Sequence, residues 1–265
     1  MLKILRVSKI FNPGSINEKV ALQNISLHLQ PGDVVNIIGS NGAGKTTVLN
    51  VVTGACPVNA GAILLKGQAI QSLPEHIRAA KMGRVFQDPL MGTAATMTIE
   101  ENLALALRRG SRRRIRWGIT TKDRALFRER LSLLGLELEN RLKNKVGLLS
   151  GGQRQALTLL MATIATPQLL LLDEHTAALD PKTGEKVLKL TAKIIKAFQL
   201  TTLMVTHNLE QALQFGNRTV MMHEGRIILD LKGERRQRTS VKELLALFQQ
   251  ASGKTMDCDR LLLAK

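Results

Sequence analysis

The stretch Gly39-Ser40-Asn41-Gly42-Ala43-Gly44-Lys45-Thr46 constrains this chain more than any other. It fits G-x-x-x-x-G-K-[ST], a phosphate-binding loop, and its flanks agree with that reading. The run Val34-Val35-Asn36-Ile37-Ile38 before it reads as a short buried strand, and a helix is expected from about Thr47 to Gly54. In such a loop, glycines let backbone N–H groups converge on phosphate oxygens with no Cβ in the way. Lys45 is expected to reach the β- and γ-phosphates and the Thr46 hydroxyl to ligate Mg²⁺. The helix opening at Thr47 points its positive end at the anion.

A second apolar strand, Leu169–Leu172, ends in Asp173-Glu174. In an enzyme built on such a loop, the first acid at a strand end holds Mg²⁺, usually through water. Glu174 then stands where a side chain orients or deprotonates the attacking water. Between the two sites lies Leu149-Ser150-Gly151-Gly152-Gln153, ahead of a helix expected over 153–165. This short motif reads two ways. It is an N-cap and turn, or a second set of N–H groups offered to an anion.

The rest of the chain arranges itself around these sites. Residues 1–33 read as an antiparallel β region, with Leu2, Ile4 and Val7 on one side and Ile25, Leu27 and Leu29 alternating with polar residues. A strand and turn at 62–68, a short helix at 74–80 and a strand at 84–86 follow. Residues 88–149 change character: Thr98…Glu101 is a capping box opening a Leu/Ala helix to Leu107, a second helix spans 122–134, and no strand interrupts them. The core resumes with a helix at 184–198, a strand at 201–205, a helix at 209–215, a hairpin about Glu224-Gly225 and a helix at 241–250. Residues 251–265 carry no clear period and read as a loosely held tail.

Charge is the unusual feature of the composition: 38 Lys and Arg against 21 Asp and Glu, a net +17. Such a field favours polyanions, whether nucleic acid, an anionic lipid leaflet or an acidic protein face, and charge alone does not choose among them. Aromatic residues are 3%, with no Tyr, which argues against an aromatic platform for single-stranded nucleic acid. The densest cluster is Arg108, Arg109, Arg112, Arg113, Arg114 and Arg116 beside Trp117, read as a solvated helix end and loop, as a contact to anionic lipid or as a nucleic-acid contact. No apolar run approaches the ~18–20 residues that span a bilayer. Met1–Val7 is too short and charged for a signal peptide. Cys56 and Cys258 are too few for a disulfide framework or a cysteine zinc site. The histidines show no ligand spacing, so no metal site is expected beyond the nucleotide's Mg²⁺.

Taken in order, the loop at 39–46, Gln87 in Val85-Phe86-Gln87-Asp88-Pro89, Leu149–Gln153, Asp173-Glu174, Ala178-Leu179-Asp180 and His207 resemble the motifs of an ABC-type ATPase domain over roughly residues 2–230. The resemblance implies an α/β fold: a P-loop NTPase (RecA-like) core with an antiparallel β subdomain and an inserted α-helical subdomain. It places the core with its β subdomain at 1–87 and 160–234, the helical subdomain with the signature motif at 88–159, and a C-terminal helix and tail at 235–265. It implies ATP and Mg²⁺ as cofactors, and two copies paired head-to-tail. Each nucleotide then lies between one copy's Gly39, Ser40, Asn41, Gly42, Ala43, Gly44, Lys45, Thr46 and Thr47 and the other's Ser150, Gly151, Gly152 and Gln153.

Carried over by position, Thr46, Gln87 and Asp173 attend the metal, Glu174 resembles the general base, and His207 a sensor of the γ-phosphate. Gln87 links metal and water to the helical insert, which touches the membrane partner in transporters. Asp180 matches the loop that crosses the dimer, and Phe11 stands where the family stacks an aromatic on adenine, or else is a core residue closing the β region. His175 replaces a common proline, and Met161 a common arginine. With one ATPase domain and no membrane span, the chain resembles the ATP-binding subunit of a bacterial importer. Phe-Gln-Asp-Pro-Leu-Met-Gly-Thr at 86–93 and Asp-Glu-His-Thr-Ala-Ala-Leu-Asp at 173–180 resemble an amino-acid-type uptake group. That implies integral permease subunits as partners, an extracytoplasmic binding protein indirectly, and a place at the cytoplasmic face of the plasma membrane. The alternative is a soluble ABC ATPase acting on nucleic acid or in cofactor assembly. Nucleic acid is not an expected partner on the importer reading.

Overall fold

Strands buried on both faces need no polar side, so they read as continuous apolar runs. Val34–Gly39 and Leu169–Asp173 are such strands. The computed structural model describes residues 1–111 and 118–252. In chain order its first elements are β1 (Leu2–Phe11), β2 (Lys19–Leu29), β3 (Val34–Gly39), α1 (Lys45–Thr53), β4 (Ala60–Leu65), β5 (Gln68–Ala69) and α2 (Glu75–Ala79). Then come β6 (Met82–Val85), α3 (Ile99–Leu107), α4 (Thr121–Ser132), α5 (Gly151–Thr163), β7 (Leu169–Asp173) and α6 (Pro181–Phe198). The chain continues through β8 (Thr202–Val205), α7 (Leu209–Gln214), β9 (Arg218–His223), β10 (Arg226–Lys232), α8 (Gly233–Arg238) and α9 (Val241–Ser252). No helix among the described residues is long and apolar enough to cross a membrane.

Residues 1–78 and 201 onward form one compact unit, and residues 79–200 a second. In the first, an antiparallel sheet runs β2-β1-β4-β5. Leu2, Ile4, Ile25, Leu27 and Leu29 are buried as alternation requires. A register irregularity between Ile4 and Val7, where Arg6 takes φ +47, turns Val7 inward as well. A second sheet in this unit runs β10-β9-β3-β8, with β3 parallel to both β8 and β9 and a β9–β10 hairpin at its edge. Helix α9 lays Leu244 and Phe248 against Ile38, Leu209, Ala212, Met221 and Leu231, so the C-terminal helix is part of this core. The final residues expected as a tail, 253–265, lie outside the described residues.

In the second unit β6 and β7 pair in parallel, with Val85 opposite Leu172. Helix α5 packs against α3, α4 and α6. Each of α3, α4 and α5 starts with a reciprocal capping box, Thr98–Glu101, Thr120–Asp123 and Ser150–Gln153, which satisfies two orphan N–H groups at each start. These boxes explain helix positions that apolar spacing reads less well. Helix α5 begins at Gly151 rather than Gln153 because Ser150 caps it. Helix α6 begins at Pro181 rather than Gly184 because Asp180 caps it and proline suits the first helical position. Helix α8 has no apolar period and was not expected. Arg236 ties it inward, donating to the Thr219 hydroxyl at 3.0 Å and to the Ala212 and Phe215 carbonyls.

Candidate functional site

The glycine-rich loop joins β3 to α1, and its backbone needs glycine at Gly44. This residue caps α1 at φ +96, and a Cβ there would sit 2.5 Å from the Ala21 carbonyl oxygen. Because Gly44 is already the cap, α1 starts at Lys45, two residues before the expected Thr47. Lys45 is buried to 7% exposure and folds back over its own loop. Its ammonium donates to the carbonyls of Gly39 at 2.9 Å and Ser40 at 3.1 Å. A cation is thereby held among backbone groups at the positive end of a helix, a setting that suits an anionic ligand.

His207 belongs to the same unit. Strand β8 runs parallel to β3 with Val205 opposite Ile37, and the Thr206 N–H donates to the Ile37 carbonyl at 3.1 Å. His207 therefore follows β8 at the same carboxyl end of the sheet where the loop leaves β3, the edge at which open α/β sheets bind ligands. Asn208 then caps α7, accepting from the Gln211 N–H at 2.9 Å. Buried Asn36 of β3 donates to the Ala212 carbonyl at 2.9 Å and to that of Phe215, tying α7 to the loop's own strand. Phe11 closes β1 at 36% exposure with the Lys9 ammonium 5.0 Å above its ring. It is a surface ring and not a core residue, which corrects the second of its two readings.

The second unit gathers the acids, Gln87 and the Ser150–Gln153 motif. Val85 and Leu172 are register partners on β6 and β7, so Gln87 and Glu174 each lie two residues past that pair on adjacent strands. Asp173 is buried and accepts from an Arg84 guanidinium N–H at 2.8 Å. Arg84 in turn stacks on the Phe86 ring at 4.6 Å. Glu174 adopts φ +44, a left-handed backbone that side-chain-bearing residues enter at a cost. The Gln155 amide donates to the Phe86 carbonyl at 3.1 Å and to the His175 carbonyl at 2.6 Å, bracketing both strand ends. His175 is fully buried, and burial pulls its imidazole down to about 4.

At the start of α5, the Ser150 hydroxyl accepts from the Gln153 N–H at 3.3 Å and the Gln153 side-chain oxygen accepts from the Ser150 N–H at 3.2 Å. The N-cap reading of this motif is thus realised. Gly152 leaves room for α6: a Cβ there would lie 2.3 Å from the Thr183 methyl, which would have to shift. Asp180, capping α6, accepts from the Thr183 N–H at 3.0 Å, and that N–H holds its carboxyl below the usual carboxylate range. The start of α5 and the start of α6 therefore lie close together within this unit.

Of the arginine cluster, Arg108 and Arg109 lie among the described residues. Arg108 donates to Asp123 at 3.0 Å and to the Gly118 carbonyl. Arg109 donates to the carbonyls of Met161 and Ala162 at 3.1 and 3.2 Å, and burial lowers its pKa. These two half-buried side chains spend their guanidiniums on partners within the chain. Arg112, Arg113, Arg114, Arg116 and Trp117 lie outside the described residues. The sequence reading also missed Arg84 and Gln155. Only Arg84 carried a signal, a charge inside the otherwise apolar Met82–Val85 strand, which calls for a counter-charge.

Among the described residues no cluster of three or more His, Cys, Asp or Glu side chains suits a metal ion. Mg²⁺ characteristically binds through one or two carboxylates plus substrate phosphates, and not in an all-protein cage. Thr46 and Asp173 each carry a hard oxygen of the kind that such binding uses.

With this geometry in place, comparison with known proteins is informative. The family model described as ABC transporter matches residues 22–177. The tyrosine transport ATP-binding protein of Clostridioides difficile is 44% identical over 95% of this chain and 100% of its own length. The methionine import ATP-binding protein MetN of Corynebacterium efficiens is 34% identical over 84% of this chain, which spans 60% of that relative. Among solved structures, the ATP-binding cassette MJ0796 in a dimeric post-hydrolysis state bound to ADP and Pi superposes with a TM-score of 0.75 at 30% identity. That match covers 88% of this chain and 98% of the other. The glycine-rich loop, the acids at the end of β7 and the capped Ser150 motif thus sit in a known α/β P-loop architecture, and the chain belongs to the ABC transporter family as an ATP-binding cassette.

Proposed function

We propose that this chain is the ATP-hydrolysing subunit of an importer for an amino acid of the tyrosine type. The observation that carries the substrate class is the 44% identity to a tyrosine transport ATP-binding protein along that relative's whole length. The reaction is ATP hydrolysis, and the cassette works as a pair of copies beside membrane permease subunits. In this reading Lys45 and the loop amides hold the phosphates, while Thr46 and Asp173 supply oxygen donors to nucleotide-bound Mg²⁺, with Gln87 at its edge. The metal offsets phosphate charge when bound. Glu174 takes a proton from the attacking water, His207 senses the terminal phosphate, and Phe11 offers its exposed ring to adenine. Ser150, Gly151, Gly152 and Gln153 cover the nucleotide of the second copy, with Asp180 at the crossing.

The domain roles follow the same reading: the core and β subdomain at 1–87 and 160–234, the helical subdomain at 88–159, and the C-terminal element beyond. The compact units cut instead at 78 and 200 because β6, β7 and α6 pack with the helices. Directly after Gln87, Leu90 and Met91 are 52% and 69% exposed, which suits an apolar contact with a permease loop. An extracytoplasmic binding protein would deliver the solute, and the cassette would sit at the cytoplasmic membrane face.

Two measurements test this. Glu174→Gln should bind MgATP, form a stable dimer by light scattering and hydrolyse at least a hundredfold more slowly. Cells lacking this subunit should lose uptake of labelled tyrosine and regain it with the wild-type chain but not with Glu174→Gln. Unchanged uptake would remove the substrate assignment, and unchanged hydrolysis by Glu174→Gln would remove the general-base assignment.

A further inference from the structure

Glu174 holds φ +44, and a residue in such a conformation persists only where its surroundings over-determine it. The turn it opens is closed by one local bond, from the Ala177 N–H to the Glu174 carbonyl at 2.9 Å. The next residue supplies firmer constraints. His175 is 1% exposed, and its Nε2 lies 3.1 Å from the Thr191 hydroxyl oxygen on α6. That hydroxyl already donates its hydrogen to the Val187 carbonyl at 2.8 Å. Its oxygen can therefore only accept, which assigns the histidine proton to Nε2.

The main chain of the same residue is held from the other side. Gln155 of α5 donates to the His175 carbonyl at 2.6 Å, and the same amide donates to the carbonyl of Phe86, the residue before Gln87. His175 is thus fixed by its ring to the helix that Asp180 opens and by its carbonyl to the helix that Ser150 opens. An apolar side chain could fill the volume but could not make the directional bond to Thr191.

We propose that His175 is a positioning residue, whose Nε2–Thr191 hydrogen bond fixes the backbone of Glu174 and so aims its carboxylate. The inference rests on Glu174 as the base, a reading tested separately by Glu174→Gln. The experiment compares the purified full chain with His175→Phe, Thr191→Val, the double variant and His175→Gln, measuring kcat, KM for ATP and MgATP affinity. Each single variant should lower kcat fivefold or more while KM and MgATP affinity stay within twofold. The double variant should be no slower than the slower single, because both remove one bond. His175→Gln, whose amide can donate to Thr191, should recover part of kcat. Thermal midpoints report folding, and should His175→Phe fail to fold, Thr191→Val decides alone, since it keeps ring and volume. A fall in kcat smaller than fivefold, multiplicative losses in the double variant, or a rise in KM without a fall in kcat overturns the proposal. If Glu174→Gln is inactive while Thr191→Val is fast, the base assignment stands and only this inference falls.

Discussion

Replacing Arg78 with methionine should destabilise the protein by about 3–5 kcal/mol, because one guanidinium closes the far end of the helix that the phosphate loop opens. Arg78 is 4% exposed and donates to the carbonyls of Leu73, Val51 and Gln71 at 2.8 Å each, and to that of Val52 at 3.2 Å. Val51 and Val52 belong to the last turn of α1, where carbonyls lack intrahelical partners and a cation is favoured. Burial lowers the guanidinium pKa, yet arginine stays charged in proteins. Methionine matches the stem and carries no donor. The two α1 bonds are buried and the other two partly so. Each buried orphan costs roughly 1–3 kcal/mol, less where water can return, which brings the total into the stated range. Total stabilities run about 5–15 kcal/mol, so the loss is large enough to measure.

The assay is urea unfolding at neutral pH followed by circular dichroism, with nucleotide affinity measured on the folded fraction. Arg78→Lys should fall between the two, since one ammonium keeps the charge but lacks the planar fork. A loss below about 1 kcal/mol for Arg78→Met would refute the reasoning, because it would mean that water already satisfies these carbonyls.

Thr98→Ala should cost about 1 kcal/mol in urea unfolding, by removing one half of the α3 capping box, and should leave MgATP affinity unchanged. The Thr98 N–H holds the Glu101 carboxyl below its ordinary value of 4.5, so the cap's contribution is present above that value. It is lost as pH falls through the lower folded value, and the gap in stability between wild type and Glu101→Gln should close over that acid range. Cys56 is half-buried and burial raises its thiol pKa, so in a Cys258→Ser background a disulfide reagent at pH 7.5 should label it slowly in the folded state and rapidly in urea.

Most of the element order was legible because local rules wrote it. Apolar runs bounded by turn residues gave β3 and β7, Gly54 stopped α1, and Thr98…Glu101 announced α3. The paired acids and the loop lysine were legible for the same reason, since their chemistry depends on short fixed spacings. What stayed hidden depends on partners far along the chain. Arg84 meets Asp173 across 89 residues, Gln155 meets Phe86 across 69, and Asn36 meets Ala212 across 176. No periodicity encodes such bonds. Helix α8 was hidden because its burial comes through the single side chain Arg236 and not through an apolar stripe.

Those long-range bonds also revise what the net charge of +17 means. Arg78 donates into the last turn of α1, Arg109 into the carbonyls of Met161 and Ala162 near the end of α5, and Arg236 into those of Ala212 and Phe215 at the end of α7. All three are partly or fully buried, and in all three burial lowers the pKa. The helices they close are those whose starts carry Lys45, Ser150 and the turn after His207. A helix whose carbonyl end is satisfied by a fixed cation is stiffer, and its amino end can present N–H groups without fraying. Part of the basic excess therefore serves to hold the carbonyl ends of three helices. Charge counted from composition overstates the positive surface left for polyanions by at least these buried arginines.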